Sequence, residues 1–336
     1  MRTDRAGIWA EEWRSADVAA VQTALGPAGH WAVAAGRTLL RPDTAPPLPD
    51  ASSAAAVLRD GGPGDAVVGL LGTYATERSA RWVRGHLEVV PSARRRGRGT
   101  AALAVLRALA RETHGPTCGL RFLTPYGTEG HRFLTARGFV RAGRIREVHL
   151  PALRPLRSGG ITLPRRWSGE AAGYRAEYRA VPAEIPDAVL AAWQEHQRAT
   201  AWWDSAWAAG LSPAELRERH FDAEDAEDAE DSDVEGQTPL VAVHRPDGTV
   251  AGAVRLDPPV GFGSLELEGG PCDPASPEAP AVARALLAAC RTVHPHHAFT
   301  CELPETDPAM HAVFRDEGAR LVVDTACCEE RPRDPA

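Results

Sequence analysis

The chain of 336 residues contains neither lysine nor asparagine, so arginine supplies all 38 of its Lys-plus-Arg cations. Without lysine there is no Gly-Lys-Ser/Thr sequence, which excludes a P-loop phosphate site. No apolar run is long enough for a membrane helix, and the N-terminal MRTDRAGIWAEEW lacks a signal-peptide core. These absences predict a cytoplasmic protein without a membrane partner.

Cysteine pairs with metal-ligand spacing are also missing. The net charge of −7 argues against a general nucleic-acid partner. The length predicts two domains, and 43% apolar residues are enough for sizeable cores. The six cysteines contain no Cys-x-x-Cys pair, which predicts reduced thiols and no zinc or other metal site; they are Cys118, Cys272, Cys290, Cys301, Cys327 and Cys328.

What the sequence does contain is a turn rich in arginine and glycine. It follows the strand-like RWVRGHLEVV and precedes the helix-like TAALAVLRALARETH. Glycine lets the backbone approach a ligand closely, and N–H groups at a helix N-terminus favour phosphate oxygens. Arginine adds charge and paired donors. A solvated surface loop is the alternative. The predicted phosphate-binding residues are Arg94, Arg95, Arg96, Gly97, Arg98, Gly99 and Thr100.

The order of elements around this turn is informative. Strand, helix, three strands with tight turns, helix, strand, helix and strand follow one another up to residue 150, which indicates an α+β domain with a mixed, mostly antiparallel sheet. In this setting the spacing Arg94-x-x-Gly97-x-Gly99, three residues after Pro91, resembles the acyl-CoA-binding motif of the GNAT superfamily of N-acyltransferases. The resemblance implies a GNAT fold here and an acyl-CoA, above all acetyl-CoA, as co-substrate.

The strand before the turn carries the candidate proton acceptors. Alternation along residues 82–89 gives one apolar face and one face with Arg84, His86 and Glu88. An N-acyltransferase must take a proton from the attacking amine. The resemblance puts the base on this strand, so Glu88 is the first candidate and His86 the second. The alternative is an exposed His86 beside an Arg84–Glu88 ion pair. The resemblance also implies that backbone groups of Leu87 and Val89 pair with the pantetheine arm.

The second motif of the family is altered in this chain. Aligned on Gly138-Phe139, the positions of the family's asparagine and alanine hold Gly127 and Gly130. Leu134 occupies the position of a tyrosine that serves the family as general acid. Leucine cannot donate a proton, and Tyr126 is the nearest substitute. Assistance by water or backbone dipoles remains an alternative, as does a chain that does not acylate.

The second half repeats the plan of the first. The ending DPAMHAVFRDEGARLVV is similar to GTEGHRFLTARGFVRA, with Phe314 and Leu134 each four residues before a glycine. This similarity predicts a tandem arrangement of the kind seen in mycothiol synthases: a GNAT domain at 1–152, a linker at 153–171 and a degenerate copy at 172–336. The turn of the copy, LEGGPCDPASPEAPAV, is acidic and lacks arginine, which predicts poor binding of CoA phosphates.

Together these features predict direct attack of a small-molecule amine on an acyl-CoA thioester. A non-catalytic CoA-binding sensor is one alternative, and a transferase acting on a hydroxyl or a protein amine is another. The repeated Ala-Glu-Asp of residues 223–231 predicts a solvated loop, and we expect Cys118 to pack rather than react. A cluster of tryptophans predicts helix packing: Trp193, Trp202, Trp203 and Trp207.

Overall fold

A computed structural model of the chain describes residues 8–12, 18–25, 53–62, 64–74, 82–154, 164–200, 211–220, 238–257 and 264–330. Residues 223–231, Trp202, Trp203 and Trp207 lie outside these ranges. The described helices are α1 (Val18–Leu25), α2 (Arg98–His114), α3 (Glu129–Thr135), α4 (Asp187–Thr200), α5 (Pro213–His220), α6 (Ala279–Val293) and α7 (Pro308–Asp316). None of them combines the length and apolar character needed to cross a membrane.

The thirteen described strands belong to two compact units. The strands are β1 (Ile8–Glu12), β2 (Ser53–Asp60), β3 (Val67–Tyr74), β4 (Trp82–Val89), β5 (Gly119–Pro125), β6 (Val140–Leu150), β7 (Arg166–Ala171), β8 (Tyr174–Arg179), β9 (Leu240–His244), β10 (Val250–Asp257), β11 (Ser264–Pro271), β12 (Ala298–Pro304) and β13 (Arg320–Glu329). The first unit takes the described parts of 1–124, 128–142 and 327–336, and the second takes those of 125–127 and 143–326. Strands β5, β6 and β13 therefore contribute residues to both units.

In the first unit, β1 to β4 form an antiparallel meander, and β5 then runs parallel to β4. A parallel pair needs a crossover connection, which α2 provides. This helix buries an apolar stripe that includes Leu103 and Leu106, both fully buried. Each such leucine contributes about 1.5–3 kcal/mol to folding. Hydrophobic burial thus holds α2, and with it the turn before it, against the sheet.

The second unit has the strand order β6-β12-β11-β10-β9-β8-β7. Its central strands and α6 share one large core in which Phe299 and Phe314 are fully buried. Helix α4 packs on β10 with a second, smaller core around Trp193. The burial of Trp193 is the helix packing expected for it. The predicted α+β class with mixed, mostly antiparallel pairing is confirmed.

The structure differs from the sequence-based expectation in the segment assigned to the linker, 153–171. Strand β7 lies inside it and pairs with β8. The connecting residues Ala172 and Gly173 both have positive φ, at 49° and 84°, and such two-residue turns match the twist of paired strands. The alternation of β7 is weak because its residues are mostly exposed or half-buried, which is why it resembled a loop. The assignment of 1–152 and 172–336 as two domain copies stays a prediction.

Candidate functional site

Strands β4 and β5 separate in the first unit. Within the described residues they pair only from Trp82 to Arg84 on β4, opposite Gly119 to Arg121 on β5. Gly85 stands at the point of separation, where an added Cβ would come within 2.8 Å of the Phe122 ring. The ring itself is buried and meets Phe139 edge-on at 5.4 Å. The absence of a side chain at Gly85 therefore leaves room for the Phe122 ring on the face of the strand where the pairing ends.

The separation leaves backbone groups of β4 facing the gap. Val90, just after β4, donates its N–H to Val68 O of β3 at 2.9 Å. Because alternate residues of a strand direct their backbone groups to opposite neighbours, Glu88 bonds toward β3, whereas Leu87 and Val89 face the β5 side. The two residues predicted to pair with a ligand through their backbone are thus the ones whose N–H and C=O groups point into the gap.

The turn after β4 presents free N–H groups. Arg95 and Gly97 have positive φ, at 60° and 78°, and Gly97 caps α2. Among the described residues, the N–H groups of Arg95, Arg96 and Gly97 donate to no backbone acceptor. The first turn of a helix adds N–H groups without intrahelical partners. A Cβ at Gly97 would meet nothing within 4 Å. The turn therefore has several backbone donors without a backbone acceptor in the described residues, and open space at the Cβ position of Gly97.

Most arginines of the turn are paired with carboxylates. Arg94 donates to Glu88 Oε1 at 2.8 Å and to Val89 O at 2.9 Å. Arg95 donates to Glu129 at 2.6 Å, and this guanidinium holds the pKa of the Glu129 carboxyl below its usual value.

The other two arginines of the turn differ from each other. Arg98 pairs with Asp60, whereas Arg96 is exposed and has no carboxylate partner in the described residues. An anion entering the turn would meet Arg96 and the backbone donors directly, and it would compete with Glu129 for Arg95.

Sequence reasoning missed Arg137, which lies close to the turn. Its Nη2 donates to Thr100 Oγ1 at 2.6 Å, and its guanidinium stacks on the Phe133 ring at 4.9 Å. Phe133 also comes within 3.4 Å of a Cβ placed at Gly99. These contacts join α3 to the start of α2, and no sequence pattern marked them because the residues are over 30 positions apart.

His86 lies on the sheet face opposite α2. Thr73 of β3 is the cross-strand neighbour of Gly85, and its Oγ1 lies 3.0 Å from Nε2 of His114 on α2. Neighbouring residues of a strand point to opposite faces, so His86 and Glu88 share the other face. The His86 Nε2 atom is buried without a hydrogen-bond partner in the described chain. Burial lowers the pKa of His86 to about 4, which keeps its imidazole neutral near pH 7. The alternative of an exposed His86 beside an Arg84–Glu88 ion pair is therefore wrong: His86 is half-buried, and Glu88 pairs with Arg94.

The residues considered for the proton donor belong to different units. Tyr126 belongs to the second unit, where Arg144 stacks on its ring at 4.2 Å and its N–H donates to Asp324 O at 2.6 Å. Leu134, in the first unit, is 4% exposed and packs in the core. Cys118 donates to Ala110 O, and burial raises the pKa of its thiol, in agreement with a packing role.

The second unit has a counterpart of this gap that its own side chains fill. Strands β11 and β12 pair from Ser264 to Leu267 and then separate. Trp193 donates from Nε1 to Glu268 O at 3.1 Å, and His196 donates from Nδ1 to Pro271 O at 2.8 Å. A Cβ at Gly270 would lie 2.6 Å from the His196 ring. Side chains of helix α4 therefore bind carbonyls of β11 near its separation from β12, whereas in the first unit Val89 O accepts from Arg94 of the turn itself.

The turn before α6 is likewise satisfied internally. Ala275 donates its N–H to Asp273 Oδ1 at 3.0 Å, and Glu278 donates its N–H to Ser276 Oγ at 3.2 Å. The carboxylate of Glu278 stands at the helix N-terminus and accepts from Arg245 at 2.9 Å. An acidic group already occupies the position favourable to anions, as the acidic sequence of this turn suggested.

Solved structures share this architecture over almost the whole chain. A GCN5-related N-acetyltransferase from Sphaerobacter thermophilus is 14% identical, covers 98% of this chain and 96% of its own, and has a TM-score of 0.60. A tandem GNAT protein from the clavulanic acid biosynthesis pathway is 18% identical, with 98% and 99% covered and a TM-score of 0.54. The chain has the tandem GNAT fold. A putative acetyltransferase from Pyrococcus horikoshii is 12% identical, with 99% and 92% covered and a TM-score of 0.50.

At this level of identity the GNAT likeness concerns the fold. No protein-family model matches the sequence, and no curated protein matches it significantly. The motif Arg94-x-x-Gly97-x-Gly99 forms the turn before α2. This turn follows directly on β4, the strand that separates from β5. No group of three or more metal-ligating side chains occurs in the described part of the chain.

Proposed function

We propose that the chain is an acyl-CoA-dependent N-acyltransferase, with acetyl-CoA as the first donor to test and a small-molecule amine as acceptor. The observation that carries the proposal is the coincidence, in one unit, of the separated strands β4 and β5 with the open turn at Arg94–Gly99. The corresponding features of the second unit are filled by its own residues, which supports a single site per chain.

The residues of the turn fit the diphosphate of CoA. Free N–H groups at Arg95, Arg96 and Gly97 supply donors, and the missing side chain at Gly97 keeps the space in front of them open. Arg96 adds an unpaired charge. The gap-facing backbone of Leu87 and Val89 suits the amides of a pantetheine arm, which pair as a neighbouring strand would. Val89 O already accepts from Arg94, so a pantetheine N–H would share this carbonyl with Arg94 or displace it. When bound, the co-substrate supplies the thioester that the amine attacks.

The proton acceptor that we propose is His86, with Glu88 as the second candidate. A neutral imidazole with an unpartnered Nε2 can accept a proton from the attacking nitrogen, whereas the Glu88 carboxylate is held by Arg94. His86 sits two residues from the last paired residue of β4, where the strands part. The leaving thiolate has no assigned donor in the first unit because Leu134 is apolar, and Tyr126 stays the predicted acid.

The site assignment is tested by Gly97→Glu, with Gly115→Glu as the matched control. Gly97 and Gly115 cap opposite ends of α2, both have positive φ (78° and 102°), and neither has an atom within 4 Å of an added Cβ. Gly97, with ψ at −9°, is in the left-handed helical region, where a side chain costs about 1–2 kcal/mol. Gly115, with ψ at 159°, is in a region that essentially only glycine adopts, so its substitution is the more strained and makes a stringent control for loss of folding. We expect Gly97→Glu to abolish CoA binding in calorimetry and Gly115→Glu to retain it. Equal CoA affinity in both variants would contradict the assignment.

Turnover separates catalysis from the alternative of a CoA-binding sensor. Release of CoA thiol from acetyl-CoA is measured with a panel of small amines, hydroxyl compounds and peptides. Because the chain has no lysine, acylation of its own lysines cannot confuse the readout. Thiol release with small amines supports the proposal. If thiol is released only with hydroxyl compounds or only with peptides, the acceptor is of that class and the small-amine assignment is wrong. Tight CoA binding without loss of thioester for any acceptor favours the sensor.

A further inference from the structure

A cleft with three arginines lies in the second unit, between α7 and β6. It encloses about 300 Å³, and its charged walls are Arg144, Arg146, Glu305, His311 and Arg315. Arg144 and Arg146 are two residues apart on β6 and so share a face of the strand. His311 and Arg315 are four apart on α7 and share a face of the helix. Two regular elements thus direct basic side chains toward one space, on a chain whose net charge is −7.

The cations of the cleft differ in how far they are already neutralised. Arg144 pairs with Asp324 through both Nε and Nη2 and stacks on the Tyr126 ring, so it is fixed and compensated. Arg146 is exposed and forms no ion pair within 4 Å among the described residues, although its charge helps to lower the pKa of the nearby Asp324 carboxyl. In the described part of the chain Arg315 pairs only with the adjacent Asp316, at 3.3 Å. Arg146 and Arg315 therefore keep charge available, against the lining carboxylate of Glu305 and the already paired Asp324.

His311 places a titratable donor between these arginines. Its Nε2 lies 3.0 Å from Pro304 O and donates to it, so a protonated ring would offer Nδ1–H as its other donor. Burial and then the charge of Arg146 lower the pKa of His311, while Pro304 O and Asp307 act in the opposite direction. An anion held beside Arg146 would cancel part of that repulsion and accept a hydrogen bond from the protonated ring.

We propose that this cleft binds a small oxyanion, a phosphate or carboxylate group, held by Arg146, Arg315 and His311. The unit whose CoA-type gap is filled by its own side chains would then carry a different anion site. The proposal goes beyond acyl transfer and does not depend on it, because every residue involved belongs to the second unit.

The test follows the His311 ring by NMR in the full-length chain without CoA. Histidine-labelled protein is titrated with inorganic phosphate and, separately, with succinate, at ionic strength held constant with sodium chloride. The His311→Gln variant assigns the resonance. We expect a saturable shift and a higher pKa of His311 with at least one probe. Saturation by phosphate alone, succinate alone or both supports the site and identifies the oxyanion it takes.

Arginine variants separate a built site from general charge attraction. Arg146→Gln should raise the His311 pKa without ligand and weaken anion binding about tenfold, as loss of one charged hydrogen bond does. Arg315→Gln should weaken it similarly. The control is Arg284→Gln on α6, an exposed arginine outside the cleft, which should change nothing. Absence of a saturable shift with both probes overturns the proposal, as does an equal effect of all three variants or an equal shift with chloride.

Discussion

His294 is expected to weaken the fold as the pH falls, and His294→Phe should remove this sensitivity. The ring is 1% exposed, and neither of its nitrogens has a hydrogen-bond partner in the described chain. Burial, and to a lesser degree His297, lowers its pKa from 6.5 to about 3. Below pH 6.5 the unfolded chain therefore binds a proton that the folded chain excludes, so stability decreases from that pH downward until about pH 3.

The magnitude follows from the two pKa values. At pH 5 the unfolded histidine lies 1.5 units below its pKa of 6.5, which corresponds to a loss of about 2 kcal/mol relative to neutral pH. Phenylalanine keeps an aromatic ring against Tyr178, which meets His294 edge-on at 5.4 Å, and it cannot be protonated. It also removes two unsatisfied buried nitrogens, so we expect no loss of stability at pH 7.

The assay is chemical denaturation at pH 7 and pH 5, with hydrogen exchange of the α6 amides as a local measure for a chain of two units. His294→Phe should lose about 2 kcal/mol less than the parent between these pH values. His294→Gln is the second variant: it also cannot titrate but remains polar, so it should be less stable than His294→Phe at pH 7 and show the same reduction in pH dependence. Other buried histidines such as His86 leave a remaining pH dependence in both variants. If both variants lose as much stability as the parent, the buried neutral histidine is not the cause.

Two further predictions concern the first unit. His86 has a pKa of about 4, so if it is the proton acceptor, kcat/KM should stay constant from pH 7 to pH 5. His86→Gln should lower kcat without weakening CoA binding. A fall of kcat/KM with an apparent pKa near 6.5 would contradict this assignment. Gly85→Ala should push against the Phe122 ring, 2.8 Å from the new Cβ, and reduce the free energy of unfolding by about 1–3 kcal/mol. The double variant Gly85→Ala/Phe122→Leu should recover part of that loss, and no recovery would place the clash elsewhere.

The elements themselves were predictable because their signals are local. Helix α2 follows from its apolar stripe, and its start follows from the glycines before it. The alternation of β4 placed His86 and Glu88 on one face and the apolar residues on the other. Strand β7 was not predicted because a short, largely exposed strand carries little periodicity, and its identity depends on pairing with β8.

Within the candidate site, sequence reasoning identified the turn and the strand but not the contacts between them. The pairing of Arg94 with Glu88 and of Arg95 with Glu129 depends on where side chains lie in space. So does the burial of His86, which rules out the alternative of an exposed histidine and leaves a neutral imidazole whose Nε2 has no partner in the described chain. Nothing local in the sequence distinguishes a histidine on a covered sheet face from one on an exposed face.

The sequence by itself determined the α+β class, the tandem plan and the location of the arginine-glycine turn, because periodicity, glycine and charge spacing act over a few residues. Only the tertiary structure decided which side chains reach the backbone at each separation. Leu87 and Val89 face the gap between β4 and β5, where Arg94 of the turn bonds Val89 O, whereas Trp193 and His196 reach from α4 to carbonyls of β11. That difference arises from side chains about 75 residues away from the strand that they contact, a distance over which no local pattern carries information.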